Sequence, residues 1–258
     1  TVFCPSGIWL SVCIRLRPIM AKIRLFIDHP LAEGQGIPLN PDQAHYLASV
    51  MRQGPGDEIL VFNGRDGEWL ARIDRLAKRN GDLLAMRQTA PQLDPPDLWL
   101  IFAPIKKART DFIVEKAAEM GAARILPVQT DHTNAERIRQ DRLQAHAVEA
   151  AEQCGGTFVP EVGELTALSR LLDGWDAGRR ILWADEALAG PAQTLQGLPR
   201  GPWAILIGPE GGWSESERRR ISAMDCVTPV SLGPRILRAD TAAVASLALW
   251  QAALGDWR

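Results

Sequence analysis

With 258 residues, 46% apolar and 23% charged, the chain is long enough to bury a substantial core and too apolar to be intrinsically disordered. Its net charge of −2 excludes a generally cationic nucleic-acid binder, so any RNA contact must rest on local basic patches and shape. No apolar run reaches the ~20 residues of a membrane span. The four cysteines (Cys4, Cys13, Cys154 and Cys226) form no CxxC pair and have no partnered histidines, which suggests neither a disulfide framework nor a metal site, and fits a reducing, cytoplasmic setting.

In chain order, residues 1–19 lack a basic n-region and an A-x-A-like cleavage site and so make a poor signal peptide. They read as an upstream extension outside the fold, from a misplaced start, with an N-terminal tether as the alternative. Residues 20–92 follow as short strands broken by turns: a strand at 23–27, a helix at 41–52 carrying His45, Leu47 and Met51, and a turn and strand in GPGDEILVF. An Asn63-Gly64 turn suited to positive φ precedes strands at 68–73 and 83–88. Several strands and one helix in that span predict a small β-barrel. PQLDPP at 91–96 is a linker, because paired prolines cannot sit inside a helix or central strand.

From 97 to 258 the period changes. Strands at 98–103, 125–128, 181–184, 203–207 and 227–232 alternate with helices at 111–120, stopped by Gly121, and at 143–153. That alternation predicts a parallel sheet covered on both faces, an α/β fold. Within it, WAILIGPEGGW at 203–213 and VSLGPRILRADTA at 230–242 are alike: each is an apolar run broken by Gly-Pro and followed by a helical pattern. Gly208, Gly211 and Gly212 let main-chain groups approach a flat ligand, Ser214 and Glu217 form a capping box, and Asp240 with Thr241 can cap a last helix running to 254. Either loop alone is an ordinary strand-to-helix turn. No P-loop, HExxH, GxSxG or strand-linked GxGxxG is present. What remains is a pair of loops at carboxyl ends of strands, where open α/β sheets put ligands.

As a pair, GPEGG and LGPRILRADTA resemble the signature of the RsmE family, the 16S rRNA (uracil-N3) methyltransferases of the SPOUT class. Further matches are Lys106, Arg109, Lys116, Glu119 and Gly121, then Glu152-Gln153-Cys154-Gly155 with Pro160, so that the resemblance spans residue 23 to the C-terminus. It implies a C-terminal SPOUT-type sheet with a trefoil knot, an N-terminal PUA-like or OB-like barrel that grips RNA, and a homodimer. It also implies S-adenosyl-L-methionine as cofactor and 16S rRNA, within a small-subunit particle, as partner. The small residues of the last helix are consistent with knot packing and a dimer, or with a tightly buried intramolecular helix.

The cofactor contacts expected from this resemblance are Ile207, Gly208, Glu210, Gly212, Leu232, Gly233, Ile236 and Leu237, with 184–186 as a third wall. Arg24, His45, Arg52, Lys106 and Arg109 are the expected RNA contacts, against the alternatives of packing histidine and solvated cations. Arg218 to Arg220 read as surface solubility. For the chemistry, uracil N3 is a weakly acidic imide and a poor nucleophile while protonated. Arg238 beside a ring carbonyl would favour the anion, and Asp240 would accept the proton or orient Arg238. The alternative is that Arg238 and Asp240 form a salt bridge supporting the last helix. Four positions depart from the family: His132 and Thr133 replace an Arg and a small polar residue, Gly156 replaces an Arg, and Asp240 replaces a Glu. Methylation of another RNA position, or an RNA-binding module with a vestigial pocket, are the competing functions.

Overall fold

Two apolar patterns, alternating before the linker and nearly continuous after it, build two sheets. The computed structural model describes residues 22–134, 137–185, 187, 195 and 197–257; the extension expected at 1–19 lies outside these residues. The first sheet contains β1 (Arg24–Phe26), β2 (Gly36–Leu39), β3 (Glu58–Phe62), β4 (Glu68–Leu76) and β5 (Gly81–Ala90), in the order β1-β3-β4-β5-β2. Only the β1–β3 pair is parallel. The segment GIPL of β2 escapes sequence reading because Gly and Pro are depleted in strands; it pairs at the sheet edge, where a missing N–H is tolerated.

Helix α1 (Pro41–His45) starts on a capping box between Asn40 and Gln43, with Pro41 in the first turn. Its Ala44, with Leu47 just beyond it, is fully buried against Ile37, Ile59, Val61 and Ile73. The single helix expected over 41–52 is not formed. After His45 the bonding slips to a π turn, Tyr46–Val50, with Met51 N–H donating to Tyr46 O, and the chain reverses at Arg52 with φ 53. The Gly54-Pro55-Gly56 that follows leaves no helix former to continue. In the Asn63-Gly64 turn only Gly64 takes positive φ, because the Asn63 side-chain carbonyl accepts from the N–H of Arg65 and Asp66.

The second sheet is parallel throughout. Its strands are β6 (Leu98–Phe102), β7 (Arg124–Gln129), β8 (Glu161–Val162), β10 (Arg180–Ala184), β11 (Trp203–Ile207) and β12 (Val227–Val230), in the order β12-β10-β11-β6-β7-β8, with β9 (Thr166–Ala167) paired to the end of β7. Helices α2 (Lys107–Glu119), α3 (Gln140–Cys154) and α6 (Ala239–Ala253) contribute to one core, where Ile113, Val114, Leu143, Leu247 and Trp250 meet Leu100, Phe102 and Ile205. Helices α4 (Leu168–Asp173) and α5 (Glu215–Ser222) contribute to the other, with Leu168, Leu172 and Ile221 against Ile101, Leu206 and Trp183. Strands β8 and β9 and helix α4 are too short to leave a period in the sequence. Helix α2 begins four residues before its expected start, because the Thr110 hydroxyl both accepts from Ile105 N–H and donates to Ile105 O, closing the turn ahead of it.

The joint between the sheets corrects the expected RNA role of Arg24. Its guanidinium is turned inward: Nε pairs with Glu68 at 2.9 Å, Nη1 donates to Ala151 O and Glu152 O, and Nη2 donates to Gly156 O. The EQCG segment is therefore the receiving end of a clasp. Glu152 Oε1 in turn accepts from Phe26 N–H at 2.8 Å, and burial pushes its carboxyl above the usual glutamate range. Gly155 closes α3 in the left-handed region, φ 80, which points the Gly156 carbonyl at Arg24. The linker is pinned to the same corner by Leu93 N–H donating to Thr157 Oγ1.

Candidate cofactor and catalytic cleft

The first wall grows from β11, whose five residues are all buried and whose end at Ile207 releases the chain into 208–213. Ser214 then caps α5 with the reciprocal Glu217 box, which ends the loop where the sequence places it. Gly208 has a packing reason for its identity: a Cβ there would stand 2.7 Å from the Trp213 ring, which lies beneath it and meets Trp183 edge to face at 6.2 Å. The loop is held from β7's side as well. His132 Nδ1 lies 3.1 Å from both Gly211 O and Gly212 O, so the Nδ1–H tautomer donates to the loop, while Asp131 N–H donates to Glu217. Sequence reading missed Trp213 and His132 as supports. The apolar residue that closes GPEGGW was the available signal for the first, and nothing local signals the second.

The second wall is the 231–238 loop, turning through Gly233 at φ 114 and entering α6 at Arg238, the N-cap residue. This corrects the expected Asp240–Thr241 cap, since Asp240 already lies inside the first helical turn. Together the loops enclose a cleft of about 240 Å³. Ile207, Gly208, Glu210 and Gly212 line it from one side, and Ile236, Leu237 and Arg238 from the other. Ala242 of α6, not anticipated as a contact, forms part of its wall. Leu232 and Gly233, also expected as contacts, are not among the lining residues: Leu232 packs against the sheet core and Gly233 makes the turn. Ala184 and Asp185 are the described part of the expected third wall. Asp185 is buried in an ion pair with Arg218, and Glu186 lies outside the described residues. Arg218 and Arg220, the latter paired with Asp173, are thus structural, not merely solubilising.

Asp240 does not pair with Arg238. One carboxylate oxygen accepts from Arg109 Nη1 at 2.9 Å and the other from Thr241 N–H at 2.9 Å. Arg238 is exposed and its guanidinium makes no hydrogen bond or ion pair among the described residues, so it is available at the mouth of the cleft. Beside it Ile236 is 83% exposed. His45, Arg52 and Lys106 are exposed, the last as the N-cap of α2, whereas Arg109 is half-committed to Asp240.

The donor set fits S-adenosylmethionine. Main-chain groups of 208–212 can read adenine, apolar Ile207, Ile236 and Leu237 can cover its faces, and the Glu210 carboxylate can meet a sulfonium. A cleft between loops at the carboxyl ends of parallel strands, in a chain that also carries a separate β-sheet, defines the class as an α/β enzyme with a nucleotide-like cofactor site. Comparison sharpens the class: residues 92–251 match the RNA methyltransferase domain family, and residues 39–83 match the RNA methyltransferase PUA domain.

The chain belongs to the ribosomal RNA small subunit methyltransferase E family. It is 30% identical to that protein of Synechocystis sp., covering 82% of this chain and 71% of the relative, and 29% identical to that of Rickettsia conorii, covering 87% and 93%. The crystal structure of the Neisseria gonorrhoeae protein bound to S-adenosyl methionine superposes with a TM-score of 0.83 at 28% identity, covering 92% of this chain and 100% of that one. Among the described residues no helix is long and apolar enough to cross a membrane, and no group of three or more His, Cys, Asp or Glu could hold a metal ion.

Proposed function

We propose that this chain transfers a methyl group from S-adenosylmethionine to N3 of one uridine in 16S rRNA, acting in the cytoplasm as a homodimer on a small-subunit particle. The observation that carries the reading is the convergence of two glycine-bearing loops on one cleft, with Arg238 unpaired at its mouth. The membership of the family and the cofactor named in the Neisseria structure support the donor and the RNA class.

In this reading residues 97–258 form the methyltransferase domain and 20–92 a PUA-like RNA-gripping domain. The chain that leaves edge strand β12 must return to α6, which packs beside β11 and α2. We place the trefoil knot at that return.

S-adenosylmethionine supplies an electrophilic methyl when bound. The protein's own task is to raise the share of uracil whose N3 proton has been given up to solvent water at the open mouth of the cleft, and to hold the resulting N3 anion in line with the methyl, whose bond to sulfur breaks as the N3–methyl bond forms. Arg238 donates to a ring carbonyl oxygen and stabilises negative charge spreading from N3 onto it, in a cleft partly shielded from water. Asp240, with both oxygens engaged, fixes Arg109 beside the cleft, and this takes the place of the proton-accepting role expected from the sequence. His45, Arg52 and Lys106 contact RNA phosphates.

The test is deletion of the gene followed by reverse transcription along the small-subunit rRNA. A methyl on N3 blocks the Watson–Crick edge and halts the polymerase, so one stop should vanish in the deletion strain. A stop pattern identical to wild type refutes the substrate assignment.

A further inference from the structure

We propose that a second cavity, at the end of β6, binds a backbone phosphate of the RNA whose target base meets Arg238. The inference rests on the methyltransferase reading above and adds a subsite to it. This cavity of about 430 Å³ is lined by Lys107, Arg137, Arg139 and Arg142, with Ile105 and Ile138. Arg142 is paired with Asp111 and Arg139 with Asp141. The side chains of Lys107 and Arg137 make no hydrogen bond or ion pair among the described residues, so among those residues the lining carries more positive charge than its partners neutralise.

Three further observations point to an anion that is part of a longer substrate. The cavity lies at the carboxyl end of the sheet, as the cofactor cleft does, because β6 and β11 are hydrogen-bonded neighbours and Ala103 N–H donates to Ile207 O just beyond them. The two sites are tied side by side: Arg109, two residues from Lys107 in α2, pairs with Asp240, two residues from Arg238 in α6. Finally, the first turn of α2 has no side-chain cap and no acidic residue, which leaves its positive end for an anion. A phosphodiester satisfies the cations, while Ile105 and Ile138 offer apolar contact to its ribose. A free metabolite would not explain the link to the neighbouring cleft.

The test compares wild type with the double variant Lys107→Ala/Arg137→Ala in binding full-length small-subunit rRNA across salt concentrations. Calorimetry with S-adenosylmethionine serves as the check that each protein is folded and its cleft intact. Two lost phosphate contacts lower the slope of log K against log salt by about 1.4–1.8, so that between about 50 and 200 mM salt the wild type loses about tenfold more affinity than the variant. The conservative pair Lys107→Arg/Arg137→Lys, which keeps both charges, should restore the wild-type slope. Methyl transfer by the alanine variant should show a raised KM for RNA with kcat retained. An unchanged salt slope in the alanine variant, with normal methylation by wild type, overturns the subsite alone. Wild type that binds S-adenosylmethionine but no rRNA overturns the subsite and the function together.

Discussion

Gly208 shows how one residue joins packing to the site. The expectation that glycines in GPEGG let a ligand approach was reasonable from the sequence, but the nearest atoms to a Cβ at 208 belong to Trp213. The variant Gly208→Ala should therefore disturb the ring beneath the loop, costing ~1–3 kcal/mol in urea unfolding and abolishing the heat of S-adenosylmethionine binding. Unchanged binding heat would mean that the loop's position does not depend on that packing. At this scale the loop residues Ile207 to Gly212 and Ile236 to Arg238 were legible because their chemistry is local. The pairing of Asp240 was not, since its partner Arg109 lies 131 positions away and two nearer arginines compete for the same reading. Arg24 misled for the same reason: nothing adjacent in sequence shows that its carbonyl acceptors sit in the last turn of α3 and just after it.

The joint is where β1 and the end of α3 act as one element. Replacing Arg24 by Ala removes the ion-pair partner of Glu68, whose side chain is 5% exposed and keeps the Thr89 hydroxyl, and should destabilise the protein by about 3 kcal/mol or more. Lysine should not rescue it, because one ammonium cannot reach Glu68 and three carbonyls as the planar fork does. Rescue by Arg24→Lys in chemical unfolding would contradict this account of the clasp. Glu152 gives the joint a pH dependence. Burial raises its folded pKa, so protonation favours the folded state: the stabilisation is full below the ordinary glutamate value of 4.5 and is lost as pH rises through the raised value. The variant Glu152→Gln, neutral throughout, should gain stability relative to wild type as pH rises through that window, read from unfolding midpoints at several pH values. A pH-independent difference would show that the carboxyl titrates alike in both states. Long apolar strands and capped helices of this region could be read from the sequence. The π turn, the proline-bearing edge strand and the two-residue strands could not, because tertiary pairing alone stabilises them.

At the scale of the whole molecule, the cofactor cleft is small, about 240 Å³ against the ~300–1,000 Å³ usual for ligand sites, and an isoleucine stands 83% exposed at its mouth. In the proposed homodimer, a second copy covering Ile236 would account for both. The variant Ile236→Asp should then sediment as a monomer and lose S-adenosylmethionine binding, whereas a dimer of unchanged affinity would place the interface elsewhere. The central claim is that Arg238 at this cleft directs a methyl to uracil N3. The most direct measurement incubates purified small subunits from a deletion strain with the protein and isotopically labelled S-adenosylmethionine, followed by mass spectrometry of the nucleosides. Wild type should yield labelled 3-methyluridine, and Arg238→Ala, with its cofactor binding intact, should yield it about 10²–10³ times more slowly. Label in any other nucleoside, or an Arg238→Ala rate equal to wild type, would contradict the account.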